Sequence, residues 1–331
     1  MHAVWPIDPG TYERHPVHNT ERIWPESNCY VDLWIELLHA AGLDPIAALP
    51  FTVTIDLEGD QWTFFKFPLA DLYDLYGIDV IELNVWRPLV EHLREQLASG
   101  RLAFVEVDAN YLPDTIGTSY GTSHVKTSIG VQALDLERCR LGYFHNAGYF
   151  ELDGPDFGRL FRLDAEQDAA PHLPPYVEVV KLSTRAPLRG RQLVQASRDL
   201  LCRHLLRRPQ ANPFRRYALQ LSADLDALGA HSLDRFHSYA FATLRQCGAA
   251  FELAGVYFRW LQAHGEGDFE SLAAGCDEIA TGAKALQFRA ARAVNLGRPF
   301  DPSSTIGEMA ERWESTMADL GARFGTLVHQ E

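Results

Sequence analysis

A chain of 331 residues, 47% hydrophobic and 22% charged, has length for two modest domains and ample material for a buried core. Its formal net charge of −14 argues against a nucleic-acid ligand, whose phosphates would be repelled. No apolar run reaches transmembrane length, and the opening "MHAVWPIDPGTYERHPVHNTER" lacks both the basic head and the apolar middle of a signal peptide.

Taken in chain order, the first half alternates short helix and strand patterns. Tyr30, Leu33, Trp34, Leu37, Leu38 and Ala41 recur at helical spacing, so 28–41 reads as a helix, with Ser27 or Asn28 as its N-cap and Gly42 as its terminator. "FTVTIDL" (51–57) and "QWTFFKF" (61–67), separated by Glu-Gly-Asp, read as a hairpin or two neighbouring strands. A short helix over 68–76, a strand over 78–85, a helix over 87–99 stopped by Gly100, and a buried strand over 101–109 follow. The loop "NYLPDTIGTSYGTS" (110–123) has the composition of a ligand-facing segment. Segments 124–135 and 140–152 read as two strands joined by "LERC", with 176–182 completing the sheet. From about Pro187 the pattern turns helical, over 188–208, 213–228, 232–264, 268–297 and 304–328. The expected organisation is an α+β domain over 1–180 and a helical domain over 187–331.

Charge and cysteine add two features. Residues 1–170 carry 11 basic against 27 acidic residues, and residues 171–331 carry 19 against 17. Within the second half, Lys181 to Tyr217 holds ten basic residues and one acid, a local +9. It reads either as a solvated helix face or as a docking surface for an acidic partner, with Arg203, Arg207, Arg208, Arg215 and Arg216 as candidates. The five cysteines (29, 139, 202, 247 and 276) are scattered and contain no C-x-x-C pair, so no disulfide framework and no metal site is suggested. A cytoplasmic chain with reduced thiols is the expectation.

Cys29 falls in the first turn of its helix, where the dipole favours a thiolate and backbone N–H groups converge. The other reading is a small packing residue, since free cysteine is among the most buried types. His124 stands where the polar loop ends and a strand begins, and Asn146 lies on the next predicted strand, 22 residues on. A nucleophile, a base and an orienting group make up the triad arrangement that recurs on unrelated folds. Alternation sends His145 to the face opposite Asn146, and Asp135 lies at the far end of His124's own strand.

The segments "NCYVDLWIELLHAAGLDP", "LEGDQWTFFKFPLADLY", "LNVWRPL", "VEVDANYLPDT", "HVKTSIG" and "LGYFHNAGY" resemble a bacterial family known only as a domain of unknown function. Members of that family are often encoded beside a small acyl carrier protein and an amino acid:carrier-protein ligase. More remotely, the "NCY" helix start, the His-led strand and the helical second half are similar to the butirosin-biosynthesis acyltransferase, with its papain-like N-terminal domain. The resemblance implies a papain-like (cysteine peptidase-like) α+β domain, and an aminoacyl group taken by Cys29 from a carrier protein's phosphopantetheine thioester. His124 would be base and Asn146 orienter, and an amine or alcohol would accept the group. The chain then needs no cofactor of its own, because the phosphopantetheine belongs to an acidic acyl carrier protein. Papain-like proteases place an oxyanion-hole glutamine shortly before the cysteine, where this chain has "ERIWPES"; Asn19, Asn28 or Gln61 are the substitutes. A cysteine peptidase or amidase, and a non-catalytic carrier-binding scaffold, are the alternatives. Neither nucleic acid nor membrane is an expected partner.

Overall fold

A computed structural model describes residues 1–163, 173–182, 184–228 and 233–328. The chain forms two compact units that interleave along the sequence. The first comprises Met1–Asn19, Asn28–Pro45 and Leu72–Pro187; the second comprises Thr20–Ser27, Ile46–Asp71 and Leu188–Glu331. Segments 20–27 and 46–71, expected with the first domain, thus pack with the helical one.

The first unit is built on a seven-stranded antiparallel sheet. Its strands are β1 (His2–Ala3), β2 (Asp79–Glu82), β3 (Leu102–Asp108), β4 (Lys126–Asp135), β5 (Arg140–His145), β6 (Gly148–Leu152) and β7 (Val177–Lys181). They run in the order β2-β7-β3-β4-β5-β6, with β1 paired to β4. Alternate residues of each strand point to opposite faces, and the two faces are covered differently. Ala103 and Val105 of β3, Ile129 and Val131 of β4 and Leu141 and Tyr143 of β5 form one core with α3 (Leu89–Ala98) and α4 (Gly154–Leu160). On the other face lies α1 (Cys29–Ala40), its Trp34 ring 4.7 Å from Phe104. Gly130 of β4 permits this approach, because a Cβ there would stand 2.8 Å from Leu33 Cδ1 and 3.2 Å from Phe104 Cε1. Tyr30 to Leu38 are all buried, so α1 is a core helix from its second residue onward.

Between the units in sequence runs α2 (Leu69–Tyr76). The second unit contains α5 (Gly190–Leu205), α6 (Pro213–Leu228), α7 (Leu233–Ala240), α8 (Gln246–Ala263), α9 (Glu270–Leu296) and α10 (Ser303–Val328). The single helix expected over 232–264 is interrupted by a π-helical turn at Phe241–Arg245. Trp24 pins the segment 20–27 into this unit: its indole donates to the Ala280 carbonyl at 3.1 Å, and a Cβ on Gly248 would strike its ring. Glu252 accepts from the Trp24 and Ile23 backbone N–H groups at 2.8 and 3.1 Å.

Two strand expectations are corrected. Segments 51–57 and 61–67 are not a hairpin but a 3-10 turn, Pro50–Thr54, and a single bridge between Leu57 and Trp62. Their aromatic residues serve packing instead: Trp62 lies 4.8 Å from Phe214, and its backbone N–H donates to the Ala242 carbonyl. The expected strand 140–152 is two strands, β5 and β6, folded back at Asn146-Ala147. Asn146 takes φ 45° there, a left-handed conformation that asparagine tolerates and a two-residue hairpin needs. Among the described residues, no helix is long and apolar enough to cross a membrane.

Candidate active site

Cys29 is the first residue of α1 and is partly exposed. Asn28 caps the helix, its side-chain oxygen accepting from the Tyr30 N–H at 3.2 Å and the Val31 N–H at 3.0 Å. Two of the donors expected to converge on an oxyanion are therefore already bonded. The N–H of Cys29 itself donates no hydrogen bond among the described residues. Burial pushes the Cys247 and Cys276 thiols well above the ordinary cysteine range. Buried neutral thiols are poor nucleophiles.

His124 lies in the irregular segment just before β4. Its Nδ1 stands 2.5 Å from Asp108 Oδ2, with side chains 71% and 33% exposed, so the pair is open to a ligand. Strand pairing creates this contact, because Asp108 ends β3 directly opposite Lys126, two residues beyond His124. Asn146, the orienter expected from the sequence, sits at the β5–β6 turn, and among the described residues no hydrogen bond joins it to His124; the group that meets the ring is the Asp108 carboxylate. Asp108 was legible in principle, since pairing the strand 101–109 with its successor 124–135 places their joined ends side by side. Among the described residues no hydrogen bond joins the Cys29 thiol to His124, His145 or Asn146.

His145, the other candidate base, has triad-like neighbours of its own. Its Nε2 lies 2.8 Å from Thr127 Oγ1 and its Nδ1 2.5 Å from Asp114 Oδ2, so the ring is fixed at both nitrogens. Tyr143 donates to the other oxygen of Asp114 at 2.5 Å. Yet the His145 and Asp114 side chains are only 2% and 5% exposed, so this cluster fastens the turn Pro113–Thr115 to the sheet and offers a substrate no approach.

A third histidine, His18, is enclosed by α1. Its ring nitrogens meet Glu36 and, at 3.3 Å, Asp32, two carboxylates one turn apart. Glu36 also accepts from the Tyr12 hydroxyl at 2.6 Å and the His15 N–H at 3.0 Å. Two acids spaced by four in an otherwise apolar helix were the signal for this cluster.

Of the remaining candidates, Asn19 is an exposed cap of the short turn Pro16–His18. Gln61 belongs to the second unit, where its carbonyl accepts from the Glu58 N–H at 2.7 Å. Arg215 is bound to both carboxylate oxygens of Glu314, at 2.8 and 3.1 Å, and Arg216 to Asp56 and the Leu57 carbonyl. Arg203 and Arg207 are exposed, and Arg208 donates to the Leu205 carbonyl at 2.7 Å. Lys181 and Arg198 also face acids, Asp79 and Glu266. The local +9 of the sequence is correspondingly diluted at the surface.

His124 and Asp108 open onto a cavity of about 950 Å³ at the end of β3, lined also by the start of α3 and the end of α4. Its wall includes Arg87, Leu89, Val107, Tyr111, Leu160 and Arg162. Among the described residues no group of three or more His, Cys, Asp or Glu side chains could hold a metal ion.

Two family descriptions match this chain: the DUF1839 N-terminal domain over residues 13–182 and the DUF1839 C-terminal domain over residues 190–322. The chain belongs to the DUF1839 family. Its two matched regions divide between β7 and α5, where the sheet of the first unit ends and the helical run begins. No curated protein matches the chain.

Proposed function

We propose that this DUF1839 protein is a thiol-dependent acyltransferase that moves an aminoacyl group from a carrier-protein phosphopantetheine thioester to an amine or alcohol. The observation that carries the reading is Cys29, which combines a partly exposed thiol with a free backbone N–H at the positive end of a twelve-residue helix. A helix led by cysteine and packed on an antiparallel sheet, one strand of which follows a histidine, suits a papain-like domain, and we assign the first unit to that class. Resemblance to a family encoded beside carrier-protein and ligase genes supplies the substrate.

In this mechanism the Cys29 thiolate attacks the thioester carbonyl after His124 takes its proton. The C–S bond to pantetheine breaks, and the leaving thiolate receives that proton. Thiolate and leaving group are chemically alike, so exchange is nearly balanced in energy. The acceptor then attacks the Cys29 acyl-enzyme, giving its proton to His124, and the C–S bond to Cys29 breaks as the sulfur is reprotonated. Asp108 orients the imidazole. Closure to hydrogen-bond distance would accompany substrate binding, as catalytic contacts often tighten in the complex.

Intact mass after mixing with aminoacylated carrier protein tests this. An adduct of the aminoacyl mass is expected on the wild type and not on Cys29→Ala; an unmodified wild type, or an equal adduct on the variant, rejects it. Free amino acid without an acceptor product would identify hydrolysis. The lack of a hydrogen bond from the Cys29 thiol to any of the three candidate partners favours a second reading, a non-catalytic carrier-binding protein. That reading requires Cys29 to react with iodoacetamide no faster than a model thiol and Cys29→Ser to retain function.

A further inference from the structure

Arg162 stands in a backbone conformation that does not suit it. It follows α4 with φ 55°, the left-handed position usually given to glycine at a helix end. The Leu163 N–H donates to the Gly158 carbonyl at 2.8 Å and the Arg162 N–H to the Arg159 carbonyl, closing the helix around it. A large side chain held there against its backbone preference suggests a task for the side chain. Arg162 lines the cavity, and its Nε is buried without a hydrogen-bond partner among the described residues.

Arg87 reaches the same cavity, and its Nε is likewise buried and unpartnered. It is paired with Glu91 at 3.9 Å, and its guanidinium lies over the Trp86 ring. The two carboxylates of the wall are already engaged, Glu106 by Lys126 at 2.7 Å and Asp108 by His124. Arg159 adds a further positive group, paired at 3.4 Å with Asp156. The uncapped start of α3 at Pro88-Leu89 belongs to the same wall, with its dipole's positive end. In a chain of net charge −14 this is, among the described residues, a local surplus of positive groups with two buried donors unmet. The rest of the wall is apolar, through Leu89, Val107, Val125 and Leu160. A cavity of about 950 Å³ is of the size that encloses a small organic ligand.

We propose that this cavity is a binding site for an amphipathic organic anion, its carboxylate or phosphate held by Arg87 and Arg162 and its apolar body lying along Leu89, Val107 and Leu160. Guanidinium groups suit both head groups, because their fixed donors match paired oxygens. The cavity shares His124 and Asp108 with the proposed acyl-transfer site, but anion binding rests on Arg87 and Arg162 and requires neither of those residues nor Cys29.

Calorimetric titration of the full chain with octanoate, octyl phosphate, octanol and octylamine tests it. One of the two anions is expected to bind one to one, at least about tenfold more tightly than octanol, as loss of charge-assisted bonds implies. The ratio of octanoate to octyl phosphate affinity identifies the head group. Arg162→Gly removes the guanidinium while suiting the backbone, so it should keep or raise the melting temperature. It and Arg87→Gln should each weaken the anion about tenfold and leave octanol unchanged, while Cys29→Ala binds as the wild type does. Anion binding no tighter than octanol, unaltered affinity in both arginine variants, or no binding by either anion overturns the proposal. Should Arg162→Gly unfold, Arg87→Gln alone decides by the same ratio.

Discussion

His18 is the residue whose protonation the fold controls most visibly. Burial alone would strip its proton, but hydrogen bonds to Asp32 and Glu36, together with their charges, reverse this and hold its pKa up to about 9. In an unfolded chain a histidine titrates near about 6.5. The stabilisation is therefore complete below that pH and is lost as the pH rises through about 9. Each tenfold gain in proton affinity is worth about 1.4 kcal/mol, which sets a ceiling of roughly 3 kcal/mol. His15 acts in the opposite sense: burial and the neighbouring His39 lower it to about 4, so stability falls as the pH drops from the unfolded value toward that point. Urea unfolding across this range should find maximal stability at about pH 6–7. His18→Gln should flatten the alkaline limb; an unchanged limb would assign the titration to another group.

Asp108 and Asn146 give the second residue-scale prediction. If Asp108 orients the base, Asp108→Asn should reduce acyl transfer at least about a hundredfold, while Asn146→Gly should leave the rate unchanged. Asn146→Gly also removes a side chain from a left-handed position, so it should be neutral or stabilising by up to about 1 kcal/mol. Equal rate losses in the two variants would return the orienting role to Asn146. Urea midpoints of the same proteins check the stability arm.

At the scale of elements, α1 depends on the absence of a side chain across from it. Gly130→Ala would place a Cβ within 2.8 Å of Leu33, in a layer where Phe104 and Trp34 already fill the neighbouring space. Overpacking of this kind costs about 1–3 kcal/mol, and the urea midpoint should fall accordingly. Leu33→Ala in the Gly130→Ala background should recover part of the loss, because it removes the struck methyl group. The helix itself was readable from Tyr30, Leu33, Trp34 and Leu37, since their spacing reflects its buried face. The pairing of β3 with β4 followed from order along the chain, but the contact of Asp108 with His124 needed the register. Phe51 to Phe67 misled because aromatic and β-branched residues favour strands and irregular packed segments alike, and only tertiary contacts decide between them. Asn146 misled because one left-handed residue turned an apparent strand into a hairpin and put the asparagine at its turn.

For the whole molecule, chain order and compact units do not coincide. The chain passes between units after Asn19, Ser27, Pro45, Asp71 and Pro187, so Cys29 follows the second passage by two residues. Periodicity cannot register such passages, because a segment buries the same apolar pattern whichever unit receives it. Charge shows a parallel limit: a run of basic residues in sequence says nothing about the acids that fold against it. Arg215 holds the Glu314 carboxyl down to about 2 together with Asn212, and Arg216 is taken by Asp56. Their removal should alter unfolding rather than partner binding. Arg203, Arg207 and Arg208 lie at and just beyond the end of α5, beside the exposed Leu206. On the acyl-transfer reading, reversing these three charges to glutamate should weaken carrier binding by about tenfold or more at low salt. The difference from the wild type should shrink as salt rises and shortens the screening length. Arg215→Glu should leave carrier affinity as it was. Titration of the carrier at two ionic strengths separates the cases, and a triple variant that binds like the wild type at both would move the docking surface elsewhere.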